Sequence, residues 1–270
     1  MRSKPARFRL ALVGLAALSA CQREPATPPP EPQAAATPPA PAAPPPTLGR
    51  SDLLAAIDAA AAAYAVGAEA AGPSLAGRRF AVRQAFGCAG PVAAPAGETP
   101  GDGLARWSWG RDQKTIELRL SPGDWKDSPP VADGSAAWEA AEGFWLTRPW
   151  LRTDGCPTVK PDPTEMAGLA SAQTAGLAAV FEEGGSRLGR RNGRAYAFTV
   201  RGEGGQPPGL PLGGYRVVLE GRLVAFADGA AIRCRADGPD QRPVCVAAAQ
   251  LDRVAFEDPS GAVLSEWRAG

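Results

Sequence analysis

Histidine is absent from this 270-residue chain, and that absence closes more chemistry than any motif opens. Ser-His-Asp and Cys-His nucleophiles cannot be assembled, and neither can a histidine-ligated zinc or haem site. Lysine is nearly as scarce: beyond residue 20 there are only Lys114, Lys126 and Lys160, preceded at three positions by Arg111, Gly123 and Pro157, so no Ser-x-x-Lys dyad exists. No Cys-x-x-Cys pair is present to hold a metal, and the sequence calls for no cofactor. The glycine-rich stretch Gly202-Glu203-Gly204-Gly205 runs into Pro207-Pro208 rather than into a helix, which excludes a phosphate-cradling loop. Long apolar runs are missing too. The N-terminal run, Leu10 to Ala20, spans 11 residues, against the ~20 that a membrane-crossing helix requires.

That short run is informative for what surrounds it. Arg2, Lys4, Arg7 and Arg9 precede it with no acidic residue among them, the layout of a secretory signal over residues 1–20. An ordinary signal-peptidase site needs a small residue three positions before the cut, and Leu18 is not small. Leu18-Ser19-Ala20-Cys21 instead resembles the lipobox of bacterial lipoproteins. The resemblance covers the first 21 residues alone. It implies that Cys21 becomes the acylated mature N-terminus and a lipid anchor. Two or three acyl chains at ~0.8 kcal/mol per buried CH₂ give stable attachment. Gln22 stands where inner-membrane-retained relatives carry Asp, so the resemblance also implies the outer membrane, facing the periplasm. Without the four signal-peptide cations the chain keeps 25 basic and 28 acidic residues, a charge of −3. No field suited to nucleic acid remains.

Four cysteines follow Cys21, an even number that an exported chain would use as two disulfides. Cys234 and Cys245 flank the turn-rich stretch 236–243 and are paired across a hairpin; Cys88 with Cys156 then follows by elimination. Residues 21–50 carry 11 prolines between Pro25 and Pro46, a composition that cannot bury a core and predicts an extended, disordered linker. Residues 51–67 read as a helix with Leu53, Ile57 and Tyr64 on one face, either a stalk or a packed element.

Residues 68–270 are expected to form one β-rich domain. Alternation of apolar and polar residues marks strands around Phe80-Val82-Phe86, Ile116-Leu118-Leu120, Tyr196-Phe198-Val200, Tyr215-Val217-Leu219 and Val254-Phe256. Asn192-Gly193, Asp228-Gly229, Pro122-Gly123 and Pro259-Ser260-Gly261 read as turns between them. The segment 164–183 is compatible with helix or strand. The expected fold is therefore mainly β, an antiparallel sandwich or partly open barrel, with one N-terminal helix and two disulfides.

Three constellations are candidate sites. Trp107 and Trp109, two apart on a strand, point the same way and could stack on sugar rings or fill the core. Arg187, Arg190, Arg191 and Arg194 cluster about the Asn192-Gly193 turn and could hold phosphate or carboxylate groups, or simply be solvated. Glu139 and Glu142 share a face if their segment is helical, which would suit a carboxylate-dependent glycan hydrolase. Weighed together, these features favour a non-enzymatic envelope lipoprotein that contacts an envelope glycan or a protein partner.

Overall fold

The computed structural model describes residues 45–68, 74–93, 101–133, 138–159, 172–202, 204 and 206–269. The signal, Cys21, the linker up to residue 44 and residues 164–171 lie outside the described residues.

Helix α1, Arg50–Ala65, begins where the Asp52 carboxylate accepts the Gly49 N–H at 2.9 Å, satisfying a donor that the first turn leaves open. Its Leu53, Leu54, Ile57 and Ala60 are buried. The helix is a packed element, with its apolar stripe in the main core.

Among the described residues eleven strands follow: β1 Arg79–Phe86, β2 Ala105–Trp109, β3 Thr115–Leu120, β4 Gly123–Asp124, β5 Trp138–Trp145, β6 Ala175–Glu182, β7 Tyr196–Arg201, β8 Tyr215–Leu223, β9 Ile232–Arg235, β10 Val244–Glu257 and β11 Val263–Arg268. A short helix, α2 (Pro129–Ala132), lies between β4 and β5. Eight strands make one sheet in the order β1-β8-β10-β6-β5-β4, with β9 and β11 also on β10; β2-β3-β7 make a second sheet. Over the described residues the fold is mainly β, two sheets without a closed barrel. One pairing departs from expectation: β6 lies parallel to β10, Ala175–Ala179 against Cys245–Ala249. Pro122-Gly123 is also not a turn, since Gly123 pairs with Gly143 in β4.

Side chains from the two sheets meet in the main core. Phe80, Val82, Phe144, Leu177, Leu219 and Phe256 come from the large sheet, and Trp107, Ile116, Leu118 and Tyr196 from the small one. A second cluster covers the opposite face of β5, β6 and β10 with Trp125, Trp138, Val131 and Phe226. Trp125 lies directly over Gly143 and Gly176: a Cβ on Gly143 would sit 1.8 Å from the indole Cδ2. Only residues without side chains let the ring lie this close to the strands.

Cys234 and Cys245 face each other across β9 and β10, and Cys88 is bonded to Cys156 over a separation of 68 residues. Leu48 forms a parallel bridge with β1, donating to the Arg79 carbonyl and accepting from Ala81, both at 2.9 Å. Two residues on, Arg50 is 3% exposed. Its guanidinium donates to Gln84 Oε1 and to the carbonyls of Thr147, Arg148, Leu151 and Thr153. Burial, aided by the nearby Arg148 charge, brings its pKa down to about 10, so it stays protonated at neutral pH. Five oxygen acceptors replace the water it has lost.

Candidate functional site

Glu139 and Glu142 are on β5, not on a helix. They share a face for a different reason. Opposite β6, Trp138 pairs with Glu182 and Ala140 with Phe181, leaving Glu139 as an extra, bulged residue. The bulge reverses the alternation: Trp138 joins Ala141 in the second cluster, whereas Phe144 points into the main core. Both carboxylates consequently reach the segment joining β6 to β7, which carries the four arginines.

The structure thus brings together two features that lie about fifty positions apart in sequence. Arg187 grips Glu139 with Nε and Nη2, both at 2.8 Å, and Arg190 Nη1 adds a third bond at 2.8 Å. The Arg187 guanidinium, chiefly through its hydrogen bonds, holds the Glu139 carboxyl below the usual carboxylate range. Glu142 is 7% exposed. Its Oε1 accepts the backbone N–H groups of Arg191 and Asn192, each at 2.8 Å. Burial pushes its pKa up, and those two N–H bonds hold it back only in part. The turn it supports has Asn192 and Gly193 at φ 51° and 78°, closed by Arg194 N–H on Arg191 O at 3.1 Å. Asn and Gly are the residues that tolerate two consecutive left-handed conformations. The turn connects strands of different sheets, however, and is no hairpin.

The remaining guanidiniums also have acceptors. Arg191 donates to the carbonyls of Arg194 and Ala195 and sits 4.7 Å from the Tyr196 ring centroid; Arg194 Nε donates back to Arg191 O. Tyr196 is buried, which raises its phenol pKa well above normal, with Glu142 adding to the effect. The four arginines therefore form a pinned turn rather than an open anion cradle.

Trp107 and Trp109 do point the same way, but that way is the core. Trp107 is 2% exposed, packs edge-on against Trp109 and Tyr215, and donates its Nε1–H to the Gly87 carbonyl at 3.3 Å. Its ring has no free face to offer a ligand. Trp109 is half-buried on the edge of the same core.

Beside the arginine turn is a cleft of about 570 Å³, a size typical of small-ligand sites. It forms because β10 changes partner: pairing with β6 ends at Ala249, and pairing with β11 begins at Arg253. Gln250, Leu251 and Asp252 line the cleft where the two neighbours part, together with the end of β6, the Gly185–Arg191 loop and Trp267 of β11. Trp267 is held edge-on by Tyr196 at 5.1 Å and Phe256 at 5.5 Å between ring centroids. Sequence reasoning passed over it because it lies apart from the other six tryptophans. The stretch Val263-Leu264-Ser265-Glu266-Trp267 carries no clean two-residue alternation that would have flagged the strand.

Among the described residues no helix is long and apolar enough to cross a membrane, and no three acidic or sulfur side chains gather as a metal would need. Comparison with protein-family models, with curated proteins and with solved structures returns no match for this chain.

Proposed function

We propose that this chain is an exported lipoprotein, acylated at Cys21 and anchored in the outer membrane, whose disulfide-bonded β head binds an envelope component without chemical turnover. The signal-like N-terminus and lipobox support the address. The two disulfides agree with an oxidising compartment. The contact surface in this reading is the cleft beside the arginine turn.

One observation carries the non-catalytic part. A glycan hydrolase needs two carboxylates facing the scissile bond, one free to donate a proton and the other to attack or activate water. Here Glu139 is chelated by two guanidiniums, and Glu142 accepts two backbone N–H groups beneath the turn. Both are committed to holding the protein's own loop.

The reading is tested in a bacterial host expressing the full precursor. Radiolabelled palmitate should enter the native protein and not Cys21→Ser, and the variant should leave the membrane fraction. Purified native protein should co-sediment with envelope material and release no reducing ends from peptidoglycan. Equal membrane retention and labelling of the variant would remove the anchor, and released reducing ends would remove the non-catalytic reading.

A further inference from the structure

We propose that the cleft between β6, β10 and β11 binds an uncharged saccharide; this rests on the binding-head reading above and names its ligand. Charge is the first argument. Four guanidiniums line the cleft, and all are engaged: Arg190 by Glu139, Arg191 by two carbonyls, Arg253 by Glu220 and Glu266, and Arg268 by Glu266. An anionic ligand would have to break one of these contacts before gaining its own. For a cation, Glu142 is taken by the turn and Asp252 lies 3.9 Å from Arg79. That leaves Glu182 alone among the described lining carboxylates without a partner, facing a lining that also carries four guanidiniums. The lining is dense in polar groups yet has little net charge to offer.

Hydroxyl groups suit such a lining because each both donates and accepts. The Glu182 and Asp252 carboxylates and the Gln250 amide oxygen are acceptors at the cleft. The Gln250 amide NH₂ and the further N–H groups of Arg190 and Arg268 are donors. None of these contacts requires an ion pair to open. Apolar area comes from Trp267 and Phe181, both half-buried on the lining. A sugar ring, with C–H faces and a hydroxyl rim, matches flat aromatic area bordered by planar polar side chains. Trp267 is braced by two aromatic neighbours, so its ordering cost is met by the fold before the ligand arrives.

The test is calorimetric titration of the purified chain with a β-1,4-linked N-acetylglucosamine trimer, maltotriose, inorganic phosphate and trialanine. At least one of the two saccharides should bind, and its affinity should change by less than about twofold between low salt and about 0.5 M NaCl. Gln250→Ala, at an exposed position, and Trp267→Phe should each weaken binding about fivefold or more. Trp109→Ala should leave it unchanged. Phosphate binding at the cleft, or a steep loss of saccharide affinity with salt, would overturn the uncharged-ligand assignment. Trialanine binding that is lost in Gln250→Ala would reassign the cleft to peptide. If neither saccharide binds while co-sedimentation with envelope material persists and falls in Gln250→Ala, the saccharide inference fails and the binding-head reading stands. If co-sedimentation is absent as well, both fail.

Discussion

Removing the Glu142 carboxylate should unfasten the arginine turn, and the size of the effect can be worked from its bonds. Two backbone N–H groups share one charged oxygen at 2.8 Å, and hydrogen bonds to charged groups are worth about 1.5–3 kcal/mol each. Part of that is offset, because the carboxylate is buried and its ionised form is disfavoured there. Glu142→Ala should therefore cost about 2–4 kcal/mol. Glu142→Gln keeps an acceptor oxygen in place without the buried charge, and should lie within about 1 kcal/mol of the native protein. Urea unfolding with both disulfides intact reads the difference: at a slope near 3 kcal/mol per molar, the alanine variant loses about 1 M in midpoint.

The pH dependence has a definite sign. Because the native pKa of Glu142 lies above its unfolded value, the native state binds more protons in the window between the two. Native stability accordingly declines as pH rises through that window and levels off above it. The glutamine variant lacks this contribution, so its stability relative to the native protein should grow across the same window. Equal losses in the alanine and glutamine variants, or a difference that shrinks as pH rises, would refute the role assigned to this carboxylate.

Gly143→Ala should cost about 3 kcal/mol, since its new Cβ would meet the Trp125 indole at 1.8 Å; the control Gly155→Ala, with nothing within 4 Å, should be neutral within about 1 kcal/mol. An alanine variant at 143 as stable as its control would mean that Trp125 packs elsewhere. Graded reduction followed by intact mass should open Cys88–Cys156 before Cys234–Cys245, because Cys88 is exposed whereas Cys245 is fully buried. Loss of the first bond, closing 68 residues, should lower stability by about 4 kcal/mol on the chain-entropy account. Simultaneous opening of the two would contradict the difference in access.

What could be read in the residues follows from which strands face solvent. β1, β3 and β8 show alternation because polar side chains on one face meet water. Phe80, Val82, Phe86, Ile116, Leu118, Leu120, Tyr215, Val217 and Leu219, which it picks out, are buried; Ala85 and Val218 are buried as well, without having been marked by it. β6 and the first half of β10 carry no such mark. Ala175, Leu177 and Ala179 face one core while Ala178 and Val180 face the other, so both faces are covered and the period vanishes. Their parallel pairing was hidden with it. The site was legible in its parts and not in its assembly. Glutamates at 139 and 142 share a face on a helix or across a bulge, and nothing local decides between these. Nor does any spacing rule join Glu142 to Asn192; only the path of β5, β6 and the following loop does so.

The entry point of the chain also determines how a pull on the head would be borne. Tension applied to the chain ahead of Pro46 reaches that residue, whose carbonyl is held by Arg78, then the Leu48 bridge and the buried Arg50. Leu48 lies parallel to β1, so force along the strand shears its two hydrogen bonds together instead of unzipping them one by one. Arg50 shares the load with the 147–153 loop, whose neighbouring Cys156 is tied covalently to Cys88 just beyond β1. Load is thus passed to the sheet and to a covalent crosslink before it travels along helix α1.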